Sequence, residues 1–321
     1  MKHIDVFNGD ADGICALLQL RNAKPVSSTL ITGVKRDIKL LSRVDAAQGD
    51  EVTVLDVSLD SNREGLERVL AHGAEVVYFD HHFAGDVKFT HPNLSSHINV
   101  AADCCTSTLV NAQLKGAFQH WAIVGAYGDN LKKLGDALSQ ASGLSAKLSL
   151  QLENLGIYMN YNGYGATVDD LHIAPDALFL LMKDFTSPFE FFEDGKATFD
   201  MLEQGYLSDM DQAKQTQVMH ETAASAAFML PDAAWARRVS GVYGNALANL
   251  SPDRAHAVIT KKSDGNYLAS VRAPLNNKTG ADEICRQFPS GGGRKAAAGI
   301  NDLPESELSH FIETLDGFYA T

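Results

Sequence analysis

What this chain has little of narrows its chemistry first. Positive charge is scarce: 27 Lys and Arg against 40 Asp and Glu leave a formal net charge of −13. A protein that tracks long nucleic acid neutralises phosphates with a basic face, so a long duplex is not an expected partner. No stretch approaches the roughly 20 continuous apolar residues of a membrane span, and Met1-Lys2-His3 leads into no signal-peptide core. A membrane partner is therefore not expected, and the expected compartment is the cytoplasm. Cysteine is limited to Cys15, Cys104, Cys105 and Cys285. None forms a Cys-x-x-Cys pair, which argues against a structural zinc site. The adjacent Cys104-Cys105 reads as two small buried residues near a helix start. Internal repeats and low-complexity tracts are missing too.

What is present is acid, placed with a pattern. The apolar run Ala74–Phe79 ends in Asp80-His81-His82, which puts a carboxylate and two imidazoles at one tip. Ile4-Asp5-Val6-Phe7-Asn8 leads into Gly9-Asp10-Ala11-Asp12-Gly13, and Val52-Thr53-Val54-Leu55 leads into Asp56. A single Asp at a strand end is most often a helix cap. Three such tips with a His-His pair form a set that capping does not explain. In a parallel sheet the carboxyl ends of neighbouring strands face one crevice, where the tips can meet. Hard oxygen ligands with imidazole suit Mn²⁺, Mg²⁺ or Zn²⁺.

The first 130 or so residues alternate strand and helix. Strands are expected at Ile4–Phe7, Leu30–Ile31, Val52–Leu55, Val76–Phe79 and Ile98–Val100. Helices are expected at Asp12–Asn22, Ile38–Val44 and Asn62–Leu70, the last capped by Ser61 or Asn62, with another opening near Thr106-Ser107. That order implies an α/β fold with a mainly parallel sheet. The apolar run Ala122–Tyr127 leads into a further acid, Asp129. From Gly135 to about Pro231 the pattern turns helical. A second unit then begins, with strands expected at Arg238–Tyr243, His256–Thr260 and Tyr267–Val271, and it closes on the glycine-rich Gly291–Gly299. The expected division is 1–135, a metal-binding catalytic domain; 136–231, a helical extension and linker; and 232–321, a smaller α/β substrate-binding domain. With 321 residues, 45% of them hydrophobic, the chain has the length and apolar content for more than one core.

Two divalent ions about 3.5–4 Å apart can clamp the attacking and leaving oxygens of phosphoryl transfer. Asp10, Asp12, Asp56, Asp80, His81, His82 and Asp129 supply the carboxylates and imidazoles that such a site needs. With Asn8-Gly9-Asp10-Ala11-Asp12-Gly13, Leu55-Asp56-Val57-Ser58, Asp80-His81-His82, Gly128-Asp129 and Gly291–Gly299 in this order, the chain resembles the DHH phosphoesterases. It is most similar to those members whose C-terminal domain binds substrate, as in nanoRNases and RecJ-type exonucleases. The resemblance implies two lobes, with the metals on the N-terminal one. It implies that Asp10 binds one ion, Asp12 the other, and Asp56 bridges them, while His81 and Asp129 complete the second. His82 is expected to contact the scissile phosphate or support the ligand shell, and Asp80 to orient a histidine. Two ions are expected, Mn²⁺ foremost, with Mg²⁺ or Co²⁺ as alternatives. The chain departs from the family at Val6, where many members carry a metal-binding His, and at Asn8, where RecJ-like members carry an acid. That leaves Asn8 or water to serve the first ion.

In the second unit, Gly291, Gly292 and Gly293 allow backbone amides to approach an anion closely. Family members usually follow these glycines with a histidine; here Arg294 stands there, able to grip phosphate but not to act as an acid near neutral pH. Arg272 matches a strand-borne arginine of the family and is the second expected phosphate contact. The aromatic stretch Tyr158–Gly165 reads as packing more readily than as a base-stacking platform. The expected function is hydrolysis of very short oligonucleotides, diribonucleotides from cyclic-dinucleotide breakdown foremost, to nucleoside monophosphates. The alternatives are a RecJ-like single-strand exonuclease, a pyrophosphate or polyphosphate hydrolase, and a non-catalytic nucleotide sensor. The family resemblance also makes a homodimer the expected assembly.

Overall fold

The structure, a computed structural model, describes residues 1–320. It divides into two compact units, Met1–Gln204 and Gly205–Thr321. The first unit is built on five parallel strands: β1 (His3–Phe7), β2 (Thr29–Ile31), β3 (Glu51–Leu55), β4 (Glu75–Asp80) and β5 (Leu94–Ile98). Their order in the sheet is β2-β1-β3-β4-β5. The chain leaves β1 in one direction and returns on its other side at β3, so the order reverses between these two strands. Open α/β sheets form their crevice at the carboxyl ends beside such a reversal.

The period of two along the strands sorts their residues onto two faces. Ile4, Val6, Val52, Val54, Val76 and Tyr78 are buried together with Leu66, Val69 and Leu70 of helix α2 (Arg63–Ala71). On the opposite face of β1, Phe7 packs with its ring 5.9 Å from that of Phe179. Asp5 lies on this face as well, fully buried, and meets Arg21 of helix α1 (Ala11–Ala23). The guanidinium donates to both carboxylate oxygens, at 2.8 and 2.5 Å, and Ser28 Oγ donates to one of them at 2.6 Å. Helices α3 (Thr106–Gln113), α4 (Gln119–Gly128), α5 (Lys132–Ala141) and α6 (Ala146–Asn162) follow the sheet. The apolar run Ala122–Tyr127 lies within α4 and is buried along its whole length, which accounts for its lack of helical periodicity.

Several expected elements form differently. Ile38–Val44 makes only a single 3₁₀ turn, Leu40–Arg43. Asn62 does not cap α2 with its side chain, which instead accepts from the Leu41 N–H and donates to the Ile38 and Ser58 carbonyls, tying that turn to the helix start. The last strand of the parallel sheet falls at Leu94–Ile98, ahead of Ile98–Val100. Tyr158 and Tyr161 lie on α6 and are buried, with Tyr161 Oη 2.7 Å from His172 Nε2, so this aromatic stretch packs inside its own unit.

The second unit has a six-stranded sheet of β6 (Val218–Glu221), β7 (Ser225–Leu230), β8 (Ala255–Lys261), β9 (Tyr267–Arg272), β10 (Gly291–Arg294) and β11 (Ala297–Leu303). The order is β10-β11-β9-β8-β7-β6, antiparallel except for the parallel pair β7–β8. That pair needs a crossover, and the helix Ala234–Leu250 supplies it. Arg238–Tyr243, expected as a strand, lies inside this helix. Val239, Tyr243 and Leu247 recur at helical spacing on its buried side, and Arg238 pairs with Asp209 at 2.7 Å. The expected helical stretch to Pro231 likewise gives way to strands at β6 and β7, both inside the second unit.

The Asp5–Arg21 pair generates a test of the first unit's stability. Removing one partner leaves a buried charge without compensation, which costs about 3–5 kcal/mol in comparable cases. Asp5→Ala is expected to lower the urea-unfolding free energy of the metal-free chain by that amount. A loss below about 1 kcal/mol would show that Arg21 escapes to solvent and that the pair contributes little.

Candidate metal centre

The carboxyl ends of β1, β3 and β4 bring the acids together through distinct local devices. Asp10 precedes α1 and caps it, its Oδ1 accepting from the Asp12 and Gly13 N–H groups at 3.0 and 3.1 Å. The helix-cap role is thus real for this residue, and it occupies one oxygen only. Asp12 lies in the first turn of α1, and its carboxylate meets the N-terminus of α3. Oδ2 accepts from the Thr106 N–H at 2.7 Å and Oδ1 from the Ser107 N–H at 2.8 Å. The unpaired amides and positive dipole end of α3 hold this buried charge in place of water. Cys104 and Cys105 sit just ahead of that helix, both buried and free.

Asp56 follows β3 in the left-handed region, at φ 59, with its N–H donating to the Phe79 carbonyl at 3.0 Å. A non-glycine residue held there costs roughly 1–3 kcal/mol, and the arrangement re-aims its carboxylate at the turn after β4. Asp56 Oδ1 accepts from Thr106 Oγ1 at 3.1 Å and lies 3.3 Å from His81 Nε2. The other ring nitrogen, His81 Nδ1, donates to the Cys104 carbonyl at 3.1 Å, so Nε2 is turned toward the carboxylates. Asp129, which ends α4, approaches the same nitrogen with Oδ2 at 3.7 Å. His82 Nδ1 stands 2.7 Å from Oδ1 of the fully buried Asp80, while its side chain remains 44% exposed. Asp80 therefore fixes the orientation of a ring that still reaches solvent.

Lys35 belongs to this group and carries no motif that marks it. Its Nζ donates to Asp10 Oδ2 at 2.5 Å and to Asn160 Oδ1 at 2.8 Å, and lies 3.6 Å from Asp129 Oδ1. The Lys35 backbone is fixed as well: its N–H donates to the Gly163 carbonyl at 2.8 Å, and its carbonyl accepts from Asn8 Nδ2 at 3.4 Å. Asn8, expected to help hold the first ion, thus spends its amide on the lysine loop, while its Oδ1 is buried without a hydrogen-bond partner. Val6 is buried in the apolar cluster of the sheet. The only signal for Lys35 in the sequence is a Lys-Arg pair beside Asp37 in an acidic chain, which reads as an ordinary solvated turn.

The charges are unevenly balanced. Burial opposes ionisation of Asp10, but the Lys35 ammonium and the Gly13 amide bring its carboxyl below the usual range. Burial and the neighbouring Asp10 and Asp12 push Asp56 well above it, with His81 offsetting this in part. Burial likewise raises Asp129, in spite of Lys35. Burial works against a charged His81, yet Asp56 and the other acids lift it to about 10. Asp10 is thus held below the usual carboxyl range, whereas Asp56 and Asp129 stand above it although His81 and Lys35 lie beside them. Asp129 Oδ2 is moreover buried with no hydrogen-bond partner. Asp56, His81 and His82 can each offer a ligand atom within 4.8 Å of the others. This donor set, with the Asp129 carboxylate 3.7 Å from His81, fits the ligand preferences of a divalent cation of the Mn²⁺ or Mg²⁺ kind.

In the second unit the glycine-rich run is a strand. A Cβ on Gly291 would stand 1.7 Å from the Cys285 carbonyl oxygen, and Gly293, at φ 141, would place one 2.5 Å from Ala298 Cα. Gly291 and Gly293 thus serve the close approach of β10 to its neighbours, whereas a Cβ on Gly292 would meet nothing within 4 Å. Arg294 ends β10 exposed. Arg272 ends β9 with its guanidinium donating to Asn245 Oδ1 at 2.6 Å and to the Gly241 carbonyl at 3.1 Å.

The fold, a five-stranded parallel sheet followed by a second sheet, is shared with solved DHH-domain proteins. A DHH-domain protein described as a member of the s1p family of ribosomal proteins matches with a TM-score of 0.65 at 13% identity, over 99% of this chain and 86% of that one. RecJ from Thermus thermophilus, in complex with Mn²⁺, matches at 0.66 and 18%, over 99% of this chain and 52% of its own. The pGpG-specific phosphodiesterase PggH from Vibrio cholerae matches at 0.59 and 14%, over 100% of this chain and 99% of its own. No protein-family model matches the sequence, and no curated protein matches it. Identities this low carry the fold; activity has to be argued from the site.

Asp56→Asn tests the centre without disturbing the backbone, because asparagine tolerates the left-handed region. It also removes one of the crowded buried charges. The metal-free variant is expected to be as stable as the parent or more so, while Mn²⁺ affinity measured by calorimetry falls at least about a hundredfold. Unchanged Mn²⁺ affinity would place the ion elsewhere.

Proposed function

We propose that this chain is a Mn²⁺-dependent phosphodiesterase that hydrolyses very short oligonucleotides, diribonucleotides foremost, to nucleoside monophosphates. The observation that carries the reading is the convergence of Asp56, His81 and Asp129, with the Asp129 Oδ2 and His81 Nε2 atoms turned toward the same place. A divalent ion held there supplies Lewis acidity and makes water a nucleophile near neutral pH. His82, oriented by Asp80 and reaching solvent, is the side chain assigned to the substrate phosphate. The fold neighbours that are described as a Mn²⁺-bound RecJ and a pGpG-specific phosphodiesterase support the same reaction class.

The short substrate is supported by charge. With a net charge of −13 the chain is poor in the basic surface that grips a long strand, so a small anion held at one end suits it better. We assign the grip to the second unit, through Arg272, Arg294 and the glycine run, where Gly292 and Gly293 are the amides offered to the anion because the Gly291 N–H already donates to the Phe288 carbonyl at 2.9 Å. Asn245 and the Gly241 carbonyl hold the Arg272 guanidinium in one orientation, which lowers the ordering cost of binding phosphate. The reading places the metal chemistry in the first unit, substrate recognition in the second, and the protein in the cytoplasm as a homodimer.

Turnover in Mn²⁺ of 5′-phosphorylated ribonucleotides from dimers to heptamers, with pyrophosphate and a long single strand in parallel, is the direct test. Cleavage concentrated on the dimers is expected. Rates that hold or climb with length would favour a RecJ-like exonuclease, and preferential cleavage of pyrophosphate a P–O–P hydrolase. Arg272→Ala and Arg294→Ala are each expected to raise KM more than they lower kcat, because the lost contacts bind substrate and transition state alike. An unchanged KM in both would remove the arginines from the binding site.

A further inference from the structure

The geometry points to a centre that binds a single divalent ion, with the Lys35 ammonium standing where a second cation would otherwise be held. This rests on the metal-dependent reading above and specifies its charge arrangement. The first support is the state of the ligands. Every carboxylate oxygen of Asp10 and Asp12 already accepts from an N–H donor: Asp12 and Gly13 amides on Asp10 Oδ1, Lys35 on Asp10 Oδ2, and the Thr106 and Ser107 amides on Asp12. A second ion on these two acids would have to displace an ammonium or share oxygens already bonded to the ends of α1 and α3.

The second support is the way Lys35 is held. A surface lysine swings freely, whereas this one is fixed through its backbone by Gly163 and Asn8 and through its Nζ by Asp10 and Asn160. Its Nζ lies 2.5 Å from Asp10 and 3.6 Å from Asp129, so one positive charge serves two acids, as a bridging cation does.

An ammonium differs from a metal in what it contributes. It offers three N–H donors and no Lewis acidity. Two of them are taken by Asp10 and Asn160; beyond these the ammonium lies 3.6 Å from Asp129, longer than a normal hydrogen bond, and 5.7 Å from the centre of the Tyr164 ring, and its third donor is assigned to a non-bridging oxygen of the substrate phosphate.

Metal counting decides this independently of activity. The chain is dialysed against excess Mn²⁺, bound metal is measured by elemental analysis, and the electron paramagnetic resonance spectrum is recorded. One ion per chain with the spectrum of an isolated Mn²⁺ is expected for the parent and for Lys35→Arg. Lys35→Met, checked for folding by circular dichroism, is expected to take up two ions with a spin-coupled spectrum. Two ions in the parent overturn the inference and leave the metal-dependent phosphodiesterase standing; none in the parent overturns that reading as well. A folded Lys35→Met that still binds one ion shows that Lys35 is not what excludes the second. Should that variant fail to fold, the counts for the parent and Lys35→Arg carry the decision.

Discussion

Carboxylates withdrawn from water and crowded together cannot all ionise unless positive charge is placed among them, and the first unit is organised around meeting that demand. Two like charges about 4 Å apart repel by about 4 kcal/mol even at an effective dielectric constant near 20. Asp10, Asp12 and Asp56 are each at most 2% exposed, so solvent relieves little of this. The chain answers with whatever positive ends it has at hand. The N-terminus of α1 meets Asp10, the N-terminus of α3 meets Asp12, the Lys35 ammonium lies between Asp10 and Asp129, and His81 faces Asp56. In spite of these partners Asp56 and Asp129 stay above the usual carboxyl range, and a divalent ion beside them would favour their charged forms. On this account the metal is as much a structural requirement of the acid cluster as a reagent.

The fold delivers these groups through the sheet. Parallel strands end on one side, and the reversal of order between β1 and β3 opens the crevice beside Asp10 and Asp56. Local devices then aim the side chains: the left-handed backbone at Asp56, the Cys104 carbonyl that turns His81, and the Asp80 carboxylate that turns His82. Each carries a cost in strain or desolvation that apolar packing beneath the sheet has to offset. Val6 belongs to that packing, buried with Ile4, Val52 and Val54 in the apolar cluster of the sheet.

The strand tips are legible in the sequence because short apolar runs ending in acids obey the period of two and tertiary context adds little to them. Arg238–Tyr243 misleads for the opposite reason. Val239, Val242 and Tyr243 favour strands by local preference, but burial of Val239, Tyr243 and Leu247 on one helical side decides the matter. The glycines from Gly291 to Gly293 read as a cradle for an anion, and the first and third are required by the packing of their own strand. Lys35 is invisible to such reading. Its partners Asp10, Asp129 and Asn160 are 25 or more residues away in sequence, and only the folded chain brings an unremarkable turn against them.

The most direct measurement is anomalous diffraction at the manganese edge from crystals grown in Mn²⁺. The account predicts one anomalous peak, coordinated by Asp56, His81 and Asp129, with the Lys35 Nζ in place beside Asp10. A second peak between Asp10 and Asp12 with Lys35 swung away would contradict the charge arrangement, and no peak at Asp56 and His81 would contradict the metal centre itself.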